Sequence, residues 1–66
     1  MRIKVDKDSD ALYFRLDDNE VVESEEVQPG VVLDYDGQNQ VVGVEFLGIS
    51  LRATAEDLSV MHFQTA

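Results

Sequence analysis

The sequence predicts a small α+β fold, mainly β: an antiparallel meander of four to five strands with one short C-terminal helix packed on the sheet. Three observations lead there. Apolar residues recur at period two over most of the 66 residues, the spacing of half-buried strands. The stretches between them are short and hold Asp, Ser, Asn, Pro and Gly, the residues that make turns. Helical spacing is confined to the C-terminal stretch "SLRATAEDLSVMHF".

In "RIKVD", Ile3 and Val5 alternate with Arg2, Lys4 and Asp6. In "ALYFRL", Leu12, Phe14 and Leu16 share one face, and Tyr13 and Arg15 the other. "VVLDYD" sets Val31, Leu33 and Tyr35 against Val32, Asp34 and Asp36, and "VVGVEFL" sets Val42, Val44 and Phe46 against Gly43 and Glu45. One apolar and one polar face per strand is the mark of an antiparallel sheet covered on one side. Residues 20–27, "EVVESEEV", combine β-branched valines with glutamates, so they read as a polar or edge strand. Gly43 within a strand marks a bulge or a close backbone approach.

The connections follow the same logic. "KDSD" and "DDNE" close hairpins, because Asp and Ser bond their own backbone two residues on. "QPGV" places Pro29 and Gly30 at the centre of a type II turn, where Pro presets φ and Gly takes φ > 0. "DGQN" offers Gly37 and Asn39 for left-handed positions in the last hairpin. The apolar face of such a sheet needs a cover, and the C-terminal stretch supplies it. Thr54 and Asp57 have the spacing of a capping box, with Ala55, Leu58 and Met61 or His62 behind them, so a helix is expected near 55–62.

The expected organisation is one domain over residues 1–66. So short a chain buries only about 60% of its unfolded surface, so its stability is marginal or shared with a partner. No cysteine is present, which removes disulfides and thiolate zinc sites from consideration. "MRIKVDKDSD" turns charged at once, and no apolar run has the length of a membrane span. A cytoplasmic protein without membrane contact is the expectation.

Charge is the strongest compositional signal. Fourteen acids against five bases give a formal net charge of −9, and residues 17–26, "DDNEVVESEE", hold six acids and no base. Nucleic-acid binding draws its affinity from Lys and Arg on phosphates, so it is disfavoured. A basic protein partner is attracted and steered.

Taken together, "VDKDSDALYFRL", "VVESEEVQPGVVLDYD" and "VVGVEFLGIS" resemble the bacterial and archaeal small-protein family called domain of unknown function 2283, over about residues 1–52. The resemblance implies a small sheet-rich fold with no established activity. Members are often encoded beside a small toxin-like protein, so it further implies an antitoxin or partner-binding role. It carries over no catalytic residues.

Asp6, Asp8 and Asp10 have the spacing of the first three ligands of a calcium loop. The sixth position of such a loop needs Gly and holds Ala11; the ninth is Phe14, which cannot coordinate; the twelfth is Asp17 in place of a bidentate Glu. The stretch is expected to be a turn, with no metal and no cofactor. Catalysis has as little to work with. Four serines share His62 as their one base, without a nucleophile-elbow motif. Asp34 and Glu45 on facing strands could shift each other's pKa, but they read as solvated residues of a polar face.

The expected function is therefore a non-catalytic protein-interaction module, the acidic partner of a small basic protein, and a homodimer. Glu20, Glu23, Glu25 and Glu26, with Asp34 and Asp36 from the adjacent strand, are the expected partner-binding residues. A divalent-metal or small-ligand-binding protein is the alternative. The two are told apart by whether acids from different strands converge in a pocket or spread over a face.

Overall fold

In the computed structural model, which describes residues 1–65, the strands are β1 (Arg2–Asp6), β2 (Ala11–Arg15), β3 (Glu23–Gln28), β4 (Val31–Tyr35) and β5 (Val41–Leu47). A 3-10 turn over Ile49–Leu51 and the helix α1 (Ala55–Ser59) follow. All strands pair antiparallel in one sheet. The mainly β fold with a small helical part is thus the one the residue alternation predicts.

The strand order is β1-β2-β5-β4-β3, which corrects the expected meander. β3, β4 and β5 are joined by hairpins, and β5 returns to lie beside β2, so β2–β5 form a Greek key. "DDNE" is accordingly part of a crossover and not a hairpin turn. The link from Leu16 to Val22 crosses three inter-strand steps, about 14 Å, well within its reach. Arg15 holds it down by donating from Nε to the Asp17 carbonyl at 2.7 Å and from Nη2 to the Asn19 carbonyl. At its two ends, Leu16 N–H donates to the Val42 carbonyl and Val22 N–H to the Tyr35 carbonyl, each at 2.8 Å.

Register sorts the side chains. Ile3, Phe14, Val44 and Leu33 lie side by side across four strands, and Val5, Leu12, Phe46 and Val31 form a second row beside them. The Phe14 and Phe46 rings meet edge to face at 6.2 Å, a favoured aromatic geometry. The opposite face carries Lys4, Tyr13, Glu45 and Val32 in one row and Arg15, Gly43, Asp34 and Ser24 in the next.

Cover over the apolar face is partial. Thr54 caps α1 as the spacing predicts: Asp57 N–H donates to Thr54 Oγ1 and Thr54 N–H to Asp57 Oδ2, both at 3.1 Å. The helix stops at Ser59 and not at 62, because Val60 turns extended (φ −128°, ψ 111°). Leu58, Met61 and Phe63 flank Ile3, Leu12 and Phe14 across a cleft, so the tail lies over the β1–β2 half of the sheet. Among the described residues, the buried apolar side chains are Ala11 and Val42 alone. The core is a thin one.

Candidate functional site

β3 is an edge strand whose six residues are all exposed. Its register splits the acids between two faces. Glu25 stands opposite Leu33 and Glu23 opposite Tyr35, at the margin of the apolar face, while Glu26 stands opposite Val32 on the polar face. Glu20 is exposed in the crossover that leads into the strand. Strand backbone N–H groups lie in the plane of the sheet, so these carboxylates have no donor beside them. Among the described residues the one ion pair is Arg2 with Asp18 at 3.4 Å, both exposed. The glutamates of β3 therefore face water, along an edge whose outer backbone groups are unpaired. A register shift between Glu26 and Gln28 bends the strand end at Val27.

Asp34 sits one strand inward and is already engaged. Its Oδ2 accepts from the Tyr13 hydroxyl and its Oδ1 from the Ser24 hydroxyl, both at 2.6 Å. Tyr13 reaches it by lying across Gly43. A Cβ on Gly43 would collide with the Tyr13 hydroxyl, come within 2.9 Å of Cζ, and stand 3.2 Å from Asp34 Oδ2. The close approach expected of Gly43 is this contact, with a register shift opposite Asp34 and Tyr35 immediately beside it. Desolvation first, then the bond to Asp34, pushes the Tyr13 phenol above its ordinary pKa.

Asp36 is buried, 8% exposed, and its carboxylate builds a loop. Oδ1 accepts from Gln38 N–H and Gln40 N–H at 2.9 Å each, and Oδ2 from the Asn19 side-chain amide at 3.2 Å. The Gln40 bond leads in holding this carboxyl below the usual range, with Gln38 and Asn19 adding to it against a desolvation that raises it. Asn39 takes the left-handed position expected of it (φ 61°); Gly37 does not, and the positive-φ glycines are Gly30 (83°) and Gly48 (65°). Asp36 thus ties the crossover to the β4–β5 turn, with three of its carboxylate's acceptor positions already filled.

"DKDSD" is a turn. Asp6 accepts from Asp8 N–H at 3.1 Å, and from Ser9 N–H and the Ser9 hydroxyl at 3.2 Å each, and the Ser9 backbone bond leads in lowering its pKa. Asp10 (φ 52°) accepts from Ser50 N–H at 3.1 Å and the Ser50 hydroxyl at 2.7 Å. That bond fastens the β1–β2 hairpin to the 3-10 turn forty positions on.

The six expected residues do not converge. Glu20, Glu23, Glu25 and Glu26 spread along one edge, Asp34 is bonded within the polar face, and Asp36 is interior to a loop. Lys4, Tyr13, Asp34 and Glu45 instead line a shallow polar hollow of about 300 Å³. Asp34 is opposite Gly43 and not Glu45, so the Tyr13 phenol, and not a second carboxylate, is its bonded neighbour. Tyr13 and Ser24 are the participants that sequence reasoning missed. A tyrosine alternating out of an apolar strand toward an acid-bearing neighbour was the available signal.

A family model described as a protein of unknown function, DUF2283, matches residues 2–50. No curated protein and no solved structure matches the chain. The chain belongs to the DUF2283 family.

Proposed function

We propose that this DUF2283 member is a non-catalytic interaction module of the cytoplasm, whose acidic β3 edge receives a small basic protein in the manner of an antitoxin. The observation that supports it is an edge strand with Glu23, Glu25 and Glu26 exposed and outside any ion pair among the described residues. Three like charges along one edge repel one another, and a basic partner relieves that repulsion while its charge steers the encounter. The net charge of −9 favours such a protein over nucleic acid as the partner. Among the described residues no helix is long and apolar enough to cross a membrane.

The acids spread along an edge instead of gathering in a pocket, which favours this reading over a ligand site. The polar hollow at Tyr13, Asp34 and Glu45 is the place for the alternative, a divalent cation or small polar ligand. Affinity capture from the native cell on the immobilised chain separates them. The expected result is a basic protein released between roughly 0.1 and 0.5 M salt, where charge contacts are screened, and lost from the E23Q/E25Q/E26Q variant. Capture indifferent to both changes contradicts the proposal. A saturable, calcium-selective rise in melting temperature that disappears in Asp34→Asn establishes the alternative.

A further inference from the structure

We infer that the apolar face is the interface between two copies of this chain, packed face to face about a two-fold axis parallel to the strands. The surface is larger than that of a closed monomer. The chain exposes 5226 Å², whereas a compact monomer of its mass exposes about 4,200 Å². Its radius of gyration is 12.7 Å, against about 10.8 Å for a compact domain of this length. The excess of about 1,000 Å², to which the exposed tail and the edge strand β3 contribute along with the sheet face, compares with the roughly 800 Å² each partner contributes to a standard interface. A single sheet with a partial cover has this shape because one layer is missing.

That cover is unevenly distributed. The tail lies over Ile3, Leu12 and Phe14, on the β1–β2 side; on β4, Ile49, Arg52 and Ala53 reach a cleft at Val31, and Leu33 and Tyr35 lie farther along the strand from it. β5 is central, and β1 and β3 are the two edges. A two-fold axis along β5 lays the covered half of each copy over the open half of the other. Phe63, 72% exposed, then has the Leu33 face of the partner copy to pack on. An axis across the strands stacks tail on tail and leaves both open halves uncovered.

Charge selects the same axis. β1 and the turn after it balance Arg2, Lys4 and Lys7 against Asp6, Asp8 and Asp10, while β3 carries Glu23, Glu25 and Glu26 and no base, with Glu23 and Glu25 flanking the apolar face. The axis along the strands brings the β1 edge of one copy to the β3 edge of the other. Arg2 and Lys4 leave from the outer face, so they act at the rim and not by contact. The crosswise axis sets Glu23 and Glu25 against their own copies, a like-charge arrangement that is costly. Steric and electrostatic halves match only in reciprocal fashion, which is the self-complementarity of a two-fold interface. The outer backbone edge of β3 stays open, so this inference does not rest on the proposed partner.

The experiment is sedimentation equilibrium of the pure full chain from roughly 1 μM to 1 mM, a range that brackets dimers of ordinary affinity. The expected mass rises toward twice 7.4 kDa. Phe63→Asp, at a position the monomer leaves exposed, keeps the far-UV circular dichroism and raises the dissociation constant at least about tenfold. Leu33→Asp abolishes the dimer. Under oxidation E25C stays unlinked, because each β3 faces a β1. A monomer at every concentration overturns the inference and assigns the face to a different protein. A dimer indifferent to both aspartate variants overturns it in favour of edge pairing, and ready self-linkage of E25C overturns the axis.

Discussion

The turn that joins β4 to β5 and the strand at the sheet's edge are both acidic, but their carboxylates have different surroundings. Asp36 accepts from two backbone N–H groups within four residues and from an amide of the crossover. Glu25 lies in an extended strand, where neighbouring N–H groups point along the sheet and away from its side chain. The short Asp side chain in a turn reaches its own backbone, and so it builds. A glutamate on an exposed edge reaches only water or another molecule. Asp34 stands between these cases, bonded to Tyr13 and Ser24 yet on an open face. Acid counts alone do not distinguish these roles; the backbone around each acid does.

The largest effect expected from this contrast is at Asp36. Asp36→Ala strips the β4–β5 turn of its acceptor and frees the crossover, and should lower the melting temperature by on the order of 10 °C. Thermal unfolding followed by circular dichroism reads it; a change no greater than that of an exposed acid would break the comparison. Next comes Gly43→Ala, where a Cβ meets the Tyr13 ring and costs about 1–3 kcal/mol. In a Tyr13→Ala background the same change should cost much less, and a double-mutant cycle in urea measures the difference.

Smaller effects follow from pH. Asp6 and Asp36 hold protons less tightly in the fold than an ordinary aspartate, whose pKa is about 3.9. Their contribution to stability is present above that value and lost as pH falls through the lower folded pKa. Asp36→Asn should flatten that acid limb. Tyr13 has the opposite sense. Its pKa is raised, so stability declines above about pH 10, where the unfolded phenol ionises first; Tyr13→Phe should remove that decline. The smallest effect on folding belongs to β3: E23Q/E25Q/E26Q should melt within about 3 °C of wild type, on the stabilising side.

Much of this was legible in the residues. Alternation in "ALYFRL" and "VVGVEFL", the Pro29–Gly30 turn, the Thr54 cap and the polar edge strand all express local rules, and each is realised. The strand order is not local. "DDNE" crosses with Arg15 holding the nearby Asp17 and Asn19 carbonyls and with Asp36, seventeen positions on, holding Asn19, and that last contact exists only once β4 is in place. The helix end at Val60 was equally hidden, because apolar spacing continues to Met61 while the backbone does not. Asp36 was legible as an acid and illegible as a loop anchor, since burial is a property of the fold.

The central claim is that the β3 glutamates serve association while the turn aspartates serve the fold. It is tested most directly by stopped-flow association with the captured basic partner, wild type beside E23Q/E25Q/E26Q, across a range of ionic strength. At low salt the variant should associate roughly tenfold more slowly. Its rate should also depend less on salt than that of wild type, with melting temperature preserved. Equal rates and equal salt slopes for the two proteins would contradict it and leave the acidic edge as a device for keeping the sheet soluble.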